Sequence, residues 1–354
     1  MQSEGISRPS SWIGDAVGRR WPGATAAAIV ALKGDASSRC FWRVALESGG
    51  ALEVPPTAIA VDLGTDDLPL YARVLNLLPE PLPEPPWLSL QRFLREIGAA
   101  VPELYAADNG ARMLLVEDVG EISLFDAATH GDAADLYRLA ADELLLFHLE
   151  GTRRLDPGCI AARVAYDARL FRWELEQFAK YGIEAASVRR GAIAPELDRL
   201  AARLDRFPRV FSHRDYHGHN LYVQMQLNHR DEPRLRVIDF QDALMAPAAQ
   251  DLAVLLTTRD VSRVITPAIE RRVLDYYYAG MVRRGAVPPG FADFMESYRL
   301  CVLQHALKVI GRFIFLEREG KSGYSAYIPY AQAQARRMLA DESGFPHLRA
   351  ALGG

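Results

Sequence analysis

The run Phe211-Ser212-His213-Arg214-Asp215-Tyr216-His217-Gly218-His219-Asn220, followed by Val237-Ile238-Asp239-Phe240-Gln241-Asp242, decides the reading of this chain. Asn220 lies five residues after Asp215, and Asp239 nineteen residues after Asn220. An aspartate on a tight loop can accept a hydroxyl proton. An asparagine five residues on can ligate magnesium, and an aspartate ending an apolar strand can hold the metal against nucleotide phosphates. A lone His-Arg-Asp carries little weight, but the ordered set points to phosphoryl transfer. Asp215 is expected to be the base, and Asn220 and Asp239 the ligands of Mg²⁺, with ATP as donor. His213 is expected to order the loop, with Asp251 at the start of a helix as its partner. A zinc cluster of His213, His217, His219 and Asp215 is the competing reading. It leaves Asn220 and Asp239 without a role and finds no further histidine cluster to complete the metal sphere.

Outward from this run, the pattern divides in two. Residues 1–120 read mainly as strands: Ala27–Leu32, Phe41–Leu46, Thr57–Leu63, Leu104–Ala107 and Met113–Glu117, the last two joined through Asn109-Gly110. Helices at Ser10–Trp21 and Trp87–Ile97 interrupt them, and a proline-rich connector spans Pro79–Pro86. Residues 121–354 read mainly as helices: Asp132–Leu149, Ala161–Tyr181, Pro195–Arg206, Ala248–Thr258, Pro267–Arg284, Phe294–Arg318 and Tyr327–Ala340. A strand pair, Leu221–Met225 and Leu235–Ile238, flanks the motif. The expected architecture is α+β and two-lobed, like a protein kinase, with a small β-rich N-terminal lobe and a larger, mainly helical C-terminal lobe.

The loop Lys33–Cys40 between two strands is the candidate phosphate cradle, with Ser37, Ser38 and Arg39 beside it and Arg43 on the next strand. Glu117 and Val119, at the lobe junction, offer backbone groups for an adenine edge. Acceptor contacts are expected from Glu174, Gln241, Asp242 and Lys308, with Gln304 and Arg312 on the same helix as Lys308.

The formal charge of −4 and the lack of a basic, aromatic-interleaved stripe argue against a nucleic-acid partner. No stretch approaches the ~20 apolar residues of a membrane span. The N-terminus carries Glu4, Arg8 and Asp15 without an apolar core, which does not read as a signal peptide. Three scattered cysteines, Cys40, Cys159 and Cys301, suit a reduced compartment, so a cytoplasmic protein acting on a small molecule is expected. Only Lys33, Lys180, Lys308 and Lys321 supply lysine, which restricts the choice of a phosphate-binding ammonium.

The chain resembles the aminoglycoside phosphotransferase/choline kinase superfamily, and within it the bacterial anomeric amino-sugar kinases. Gly34-Asp35-Ala36-Ser37-Ser38-Arg39 is similar to their opening loop. Leu114–Gly120, Tyr166–Phe178, His213–Asn220, Ile238–Ala243 and Leu303–Gly311 carry the rest. The resemblance implies transfer of the ATP γ-phosphoryl group to the anomeric hydroxyl of N-acetylmuramate or N-acetylglucosamine, in peptidoglycan recycling. Two departures stand out. The third strand, Thr57–Asp62, has no lysine for the α/β-phosphates, and the following helix offers only Glu96, near its end. Ala246-Pro247-Ala248-Ala249-Gln250-Asp251 stands where the family has Gly-Pro-x-x-Tyr-Asp.

Overall fold

The computed structural model describes residues 4–32, 39–50, 53–65, 68, 70–78, 82–183, 189–224, 233–286, 290–340 and 342–353. The expected phosphate-loop residues Lys33, Ser37 and Ser38 lie outside them.

Helix α1 (Glu4–Arg20) begins before the expected Ser10 and sets Ile13, Ala16 and Val17 on one buried stripe. Five strands follow, β1 (Thr25–Leu32), β2 (Cys40–Glu47), β3 (Thr57–Asp62), β4 (Leu104–Asp108) and β5 (Met113–Glu117), in the antiparallel order β1-β2-β3-β5-β4. The period-2 pattern gives the sheet two apolar faces. Ala58 and Ala60 of β3, with Val44 and Leu115, pack on α1, while Val61, Leu114 and Val116 join the main core. Between β3 and β4 lie α2 (Leu70–Val74) and α3 (Pro86–Glu96).

The β4–β5 connection is a hairpin, as expected from Asp108-Asn109-Gly110. Four residues, Asn109–Arg112, form it, and the left-handed backbone falls on Arg112 (φ 57°). Asp108 Oδ1 accepts the Ala111 N–H at 2.8 Å, and the Arg112 carbonyl accepts the Leu63 N–H at 3.0 Å. Those two bonds fix the loop that the Asn-Gly pair marked as a hairpin.

The remaining chain runs α4 (Leu124–His130), α5 (Ala133–Leu146), α6 (Thr152–Arg154), α7 (Ile160–Arg163), α8 (Ala168–Gln177) and α9 (Arg189–Asp205). It continues β6 (Arg209–Ser212), β7 (Leu221–Gln224), β8 (Arg234–Val237), β9 (Leu244–Pro247), α10 (Ala249–Thr257), α11 (Pro267–Arg283), α12 (Phe291–Arg318), α13 (Ile328–Leu339) and α14 (Pro346–Ala351). The expected helix Ala161–Tyr181 is broken. The backbone of Val164–Tyr166 is taken up by β9, through Met245 N–H to Val164 O (2.9 Å) and Tyr166 N–H to Met245 O (2.8 Å). Asp167 then caps α8, accepting the Leu170 N–H at 3.0 Å. The antiparallel pair β6–β9 was not anticipated, nor was α4, which Ser123 caps. Among the described residues no helix is long and apolar enough to cross a membrane.

Helix α3 reaches down from the sheet to the segments that carry the motif. Trp87 lies 5.4 Å from Phe240, next to Asp239, and Phe93 lies 5.3 Å from Phe211, at the head of the motif. Glu117, at the end of β5, binds Arg236 (3.0 Å) and Gln224 (3.2 Å) of the β7–β8 hairpin. Apolar packing on one side and an ion pair on the other thus tie the sheet to the lobe carrying the motif.

Candidate active site

The loop from His213 to Asn220 leaves β6 and returns at β7. Its sharpest point is Arg214, a non-glycine residue at φ 77°, a backbone conformation that persists only where surrounding bonds enforce it. Here Asp251, fully buried in α10, supplies them. Its Oδ2 accepts the His213 N–H at 2.9 Å and its Oδ1 the Arg214 N–H at 2.8 Å. His148 Nε2 lies 3.1 Å from Asp251 Oδ2. Burial pushes the Asp251 carboxyl upward, but the His148 contact and charge outweigh it and hold the group below its ordinary range. The expected pairing of His213 with Asp251 is therefore present, though through the His213 backbone. The His213 ring points elsewhere, with Nε2 2.9 Å from the Ile238 carbonyl.

The second half of the loop is closed by Asn220. Its Nδ2 donates to the Asp215 carbonyl at 3.0 Å, a bond that does not use Oδ1. Its own carbonyl accepts the Ile238 N–H at 3.0 Å. That bond seats the Asp215–Asn220 loop against the strand end that carries Asp239. Asp239 also has left-handed backbone (φ 64°), turning the chain from β8 into the short turn Phe240–Asp242. Its Oδ1 accepts from Gln241 Nε2 at 2.7 Å and from Arg39 Nη1 at 3.3 Å. Asn220 and Asp239 thus present oxygen ligands on adjoining segments, which suits magnesium, a cation that takes few protein oxygens and keeps waters and phosphate oxygens. Among the described residues no group of three or more His, Cys, Asp and Glu side chains is arranged to hold a metal, which removes the basis for a zinc cluster of His213, His217 and His219.

Asp215 is about one-third exposed. Burial raises its pKa, but the positive charges of Arg214 and Lys308 more than cancel this and hold the carboxyl well below the usual range. His217 is pushed down to about 3, by burial and by the Arg259 charge, so it is a neutral imidazole near pH 7.

Beneath Asp215 lies a buried polar network. The Arg214 guanidinium pairs with Glu174 (3.0 Å) and Asp242 (3.3 Å), and lies 4.3 Å over the Tyr71 ring. Glu174, 2% exposed, also binds Lys308 Nζ (3.1 Å), Gln304 Nε2 (3.1 Å) and the Tyr166 hydroxyl. Burial raises the Glu174 pKa, yet Lys308, Arg214 and the Tyr166 bond bring it down to about 2. Glu174 was expected to touch the acceptor. It is instead saturated by four protein partners, the hub that fixes Arg214 and Lys308. Asp242 is likewise turned toward Arg214, and Gln241 toward Asp239.

The nucleotide-side expectations divide. Arg43 does not point freely at a phosphate site: its Nε binds Asp118 at 2.7 Å, and its Nη1 pairs with Glu121, just past β5. Arg39 does cross the cleft, to Asp239. Glu117 holds the β7–β8 hairpin with its side chain, and Val119 is buried at the same junction. Glu96 has an exposed side chain, and its carbonyl accepts from Arg154. Reasoning from sequence missed Tyr71, Asp118 and the role of Arg214. Tyr71 sits in an unremarkable context, Asp118 lies in the junction run read only for its backbone, and the positive φ of Arg214 leaves no mark in the sequence.

Residues 59–287 match the phosphotransferase enzyme family. The chain is 30% identical over 251 residues to the N-acetylmuramate/N-acetylglucosamine kinase of Pseudomonas aeruginosa, covering 69% of this chain and 70% of that one. Among solved structures it is similar to a choline kinase from Cryptosporidium parvum (TM-score 0.61, 15% identity, 97% of this chain and 99% of that chain). It is also similar to an ADP-bound aminoglycoside phosphotransferase (TM-score 0.56, 14% identity, 97% and 99%). The last two likenesses establish the fold.

Proposed function

We propose that this chain, which belongs to the phosphotransferase enzyme family, transfers the γ-phosphoryl group of ATP to the anomeric hydroxyl of an amino sugar of the N-acetylmuramate/N-acetylglucosamine type. The observation that carries the reading is the Asn220 O to Ile238 N–H bond, because it brings the proposed base loop and the proposed metal-binding aspartate to one place. Relatives named for these two sugars supply the acceptor class, and nucleotide complexes of fold neighbours support a nucleotide donor.

In this reading Asp215 orients the acceptor hydroxyl and takes its proton as the oxygen–phosphorus bond forms and the bond to ADP breaks. The charges around Asp215 keep it ionised at neutral pH, so it is ready to accept. Asn220 and Asp239 would hold Mg²⁺, which supplies charge neutralisation for the phosphate oxygens. Arg39, carried beside the β1–β2 connection, adds positive charge there in place of the lysine absent from β3. The acceptor enters over Gln241, Asp242 and Lys308. The setting is cytoplasmic, where ATP and sugars released from peptidoglycan meet.

The test is an ATP-dependent assay on N-acetylmuramate, N-acetylglucosamine, choline and an aminoglycoside, with the product read by phosphorus NMR. A phosphorus signal coupled to the anomeric proton is expected for the amino sugars. Phosphorylation of choline or the aminoglycoside alone would overturn the acceptor assignment.

A further inference from the structure

Helix α12 presents Gln304, Lys308 and Arg312 at four-residue intervals, so they line one face. The first two are committed: both bind Glu174, which in turn holds Arg214 next to Asp215. That face is therefore directed at the catalytic loop, and Arg312 lies four residues, about 6 Å, farther along it. Unlike Lys308, Arg312 has no carboxylate within 4 Å among the described residues, although it is partly buried. It lies 5.5 Å from the centre of the Phe315 ring. Burial lowers its pKa, with Tyr324 and Glu174 opposing.

A second guanidinium, Arg259, packs on the same aromatic cluster, over Tyr327. Arg259 follows α10 at φ 55°, a left-handed conformation uncommon outside glycine. It too has no carboxylate within 4 Å among the described residues, and it lies 5.7 Å over the Tyr327 ring. Its charge is felt at His217, within the catalytic loop. One aromatic cluster links the two arginines: Phe313 lies 5.1 Å from Tyr324, whose charge acts on Arg312, and 6.1 Å from Tyr327, which Arg259 covers.

Two partly buried guanidiniums without a carboxylate within 4 Å among the described residues, both at one aromatic cluster, leave donor groups that an anion can complete. The arginine fork matches a carboxylate in two hydrogen bonds, and aromatic faces pack against sugar rings. The nucleotide phosphates would lie on the opposite side of Asp215, by Arg39 and Asp239, so the anion belongs to the acceptor. We infer that Arg259 and Arg312 form a subsite for a carboxylate substituent of the acceptor sugar, over Phe313, Tyr324 and Tyr327. This rests on the amino-sugar reading and deepens it. N-acetylmuramate carries a lactyl carboxylate that N-acetylglucosamine lacks, so the subsite favours the former. Lys308, already neutralised by Glu174, does not perform this recognition.

The experiment compares kcat/KM for the two sugars in the wild type, Arg259→Met, Arg312→Met and Arg312→Lys. Losing one charge-assisted contact should lower the N-acetylmuramate to N-acetylglucosamine ratio by about 10- to 100-fold in each methionine variant, chiefly through KM. Arg312→Lys should restore part of it. Calorimetric binding of each sugar, read alongside, separates recognition from turnover. If the wild type phosphorylates both sugars and neither methionine variant shifts the ratio, the subsite is refuted while the kinase reading stands. Equal losses on both sugars would also refute it, marking the arginines as structural. If the wild type neither binds nor phosphorylates either sugar, the acceptor reading falls and this inference with it.

Discussion

Asp251 accepts the Arg214 backbone N–H at 2.8 Å, from a carboxylate wholly inside the protein. A left-handed arginine at the turn of the His213–Asn220 loop is thereby held by an element remote in sequence, and the same carboxylate fixes His213 and His148. Replacing it leaves buried donors unpaired. Asp251→Ala should cost about 3–5 kcal/mol of stability, measured by denaturant unfolding, with a loss of turnover larger than the loss of sugar binding.

The Glu174 hub gives a pH signature. Its folded-state pKa, about 2, is below the ordinary 4.5. The unfolded chain therefore binds a proton first as pH falls, and the stability Glu174 contributes is present above about pH 4.5 and lost as pH drops toward 2. Unfolding midpoints measured between pH 5 and pH 2.5 should fall steeply in the wild type. Glu174→Gln should be less stable at pH 7 and show a shallower decline, whereas parallel curves would contradict the ionised hub.

His217 follows the same logic with opposite charge. Its pKa near 3 in the fold means that the unfolded chain takes up a proton as pH falls below about 6.5, so the neutral imidazole opposes stability increasingly from there down to pH 3. Carbon-detected NMR of the His217 ring should show a neutral imidazole throughout pH 5–8.

Arg39 spans the cleft to Asp239 through one bond at 3.3 Å, on a partly exposed pair, so it contributes little to stability. Arg39→Ala should leave the unfolding midpoint within experimental scatter and raise the KM for ATP by about tenfold, the effect of one charge-assisted phosphate contact. Arg43→Ala, removing the Asp118 and Glu121 pairs, should mainly loosen the lobe junction.

Gly311 shows how closely the helical lobe is packed. A Cβ there would lie 2.4 Å from the backbone of Gln177 and Phe178, at the end of α8. Backbone cannot yield as a side chain can, so Gly311→Ala should destabilise by about 1–3 kcal/mol and displace α12, with Lys308 on it.

What was legible in the sequence follows from how local each signal is. Asp215, Asn220 and Asp239 form an ordered motif, and the helical periods of α10 to α13 repeat over several turns, so both could be read directly. The β6–β9 pair joins segments separated by the whole hairpin, and each strand has only four residues, too few for a period to declare itself. The break between α7 and α8 comes from β9 taking the backbone of Val164–Tyr166, a tertiary event that leaves no local mark. Glu174 and Arg43 were recognised as charged residues near the site, but their partners, Lys308 and Asp118, come from distant elements. A sequence shows that a charge exists and not whether the fold has already neutralised it.

The central claim is that Asp215 is the base of an ATP-dependent sugar kinase, and Asp215→Asn tests it most directly. The side chain keeps its shape, and the Asn220 bond to the Asp215 carbonyl remains. Steady-state turnover of ATP and amino sugar should fall by about 10²–10⁴-fold, with the unfolding midpoint and ATP binding retained. Turnover equal to the wild type in a folded, ATP-binding Asp215→Asn protein would contradict the account.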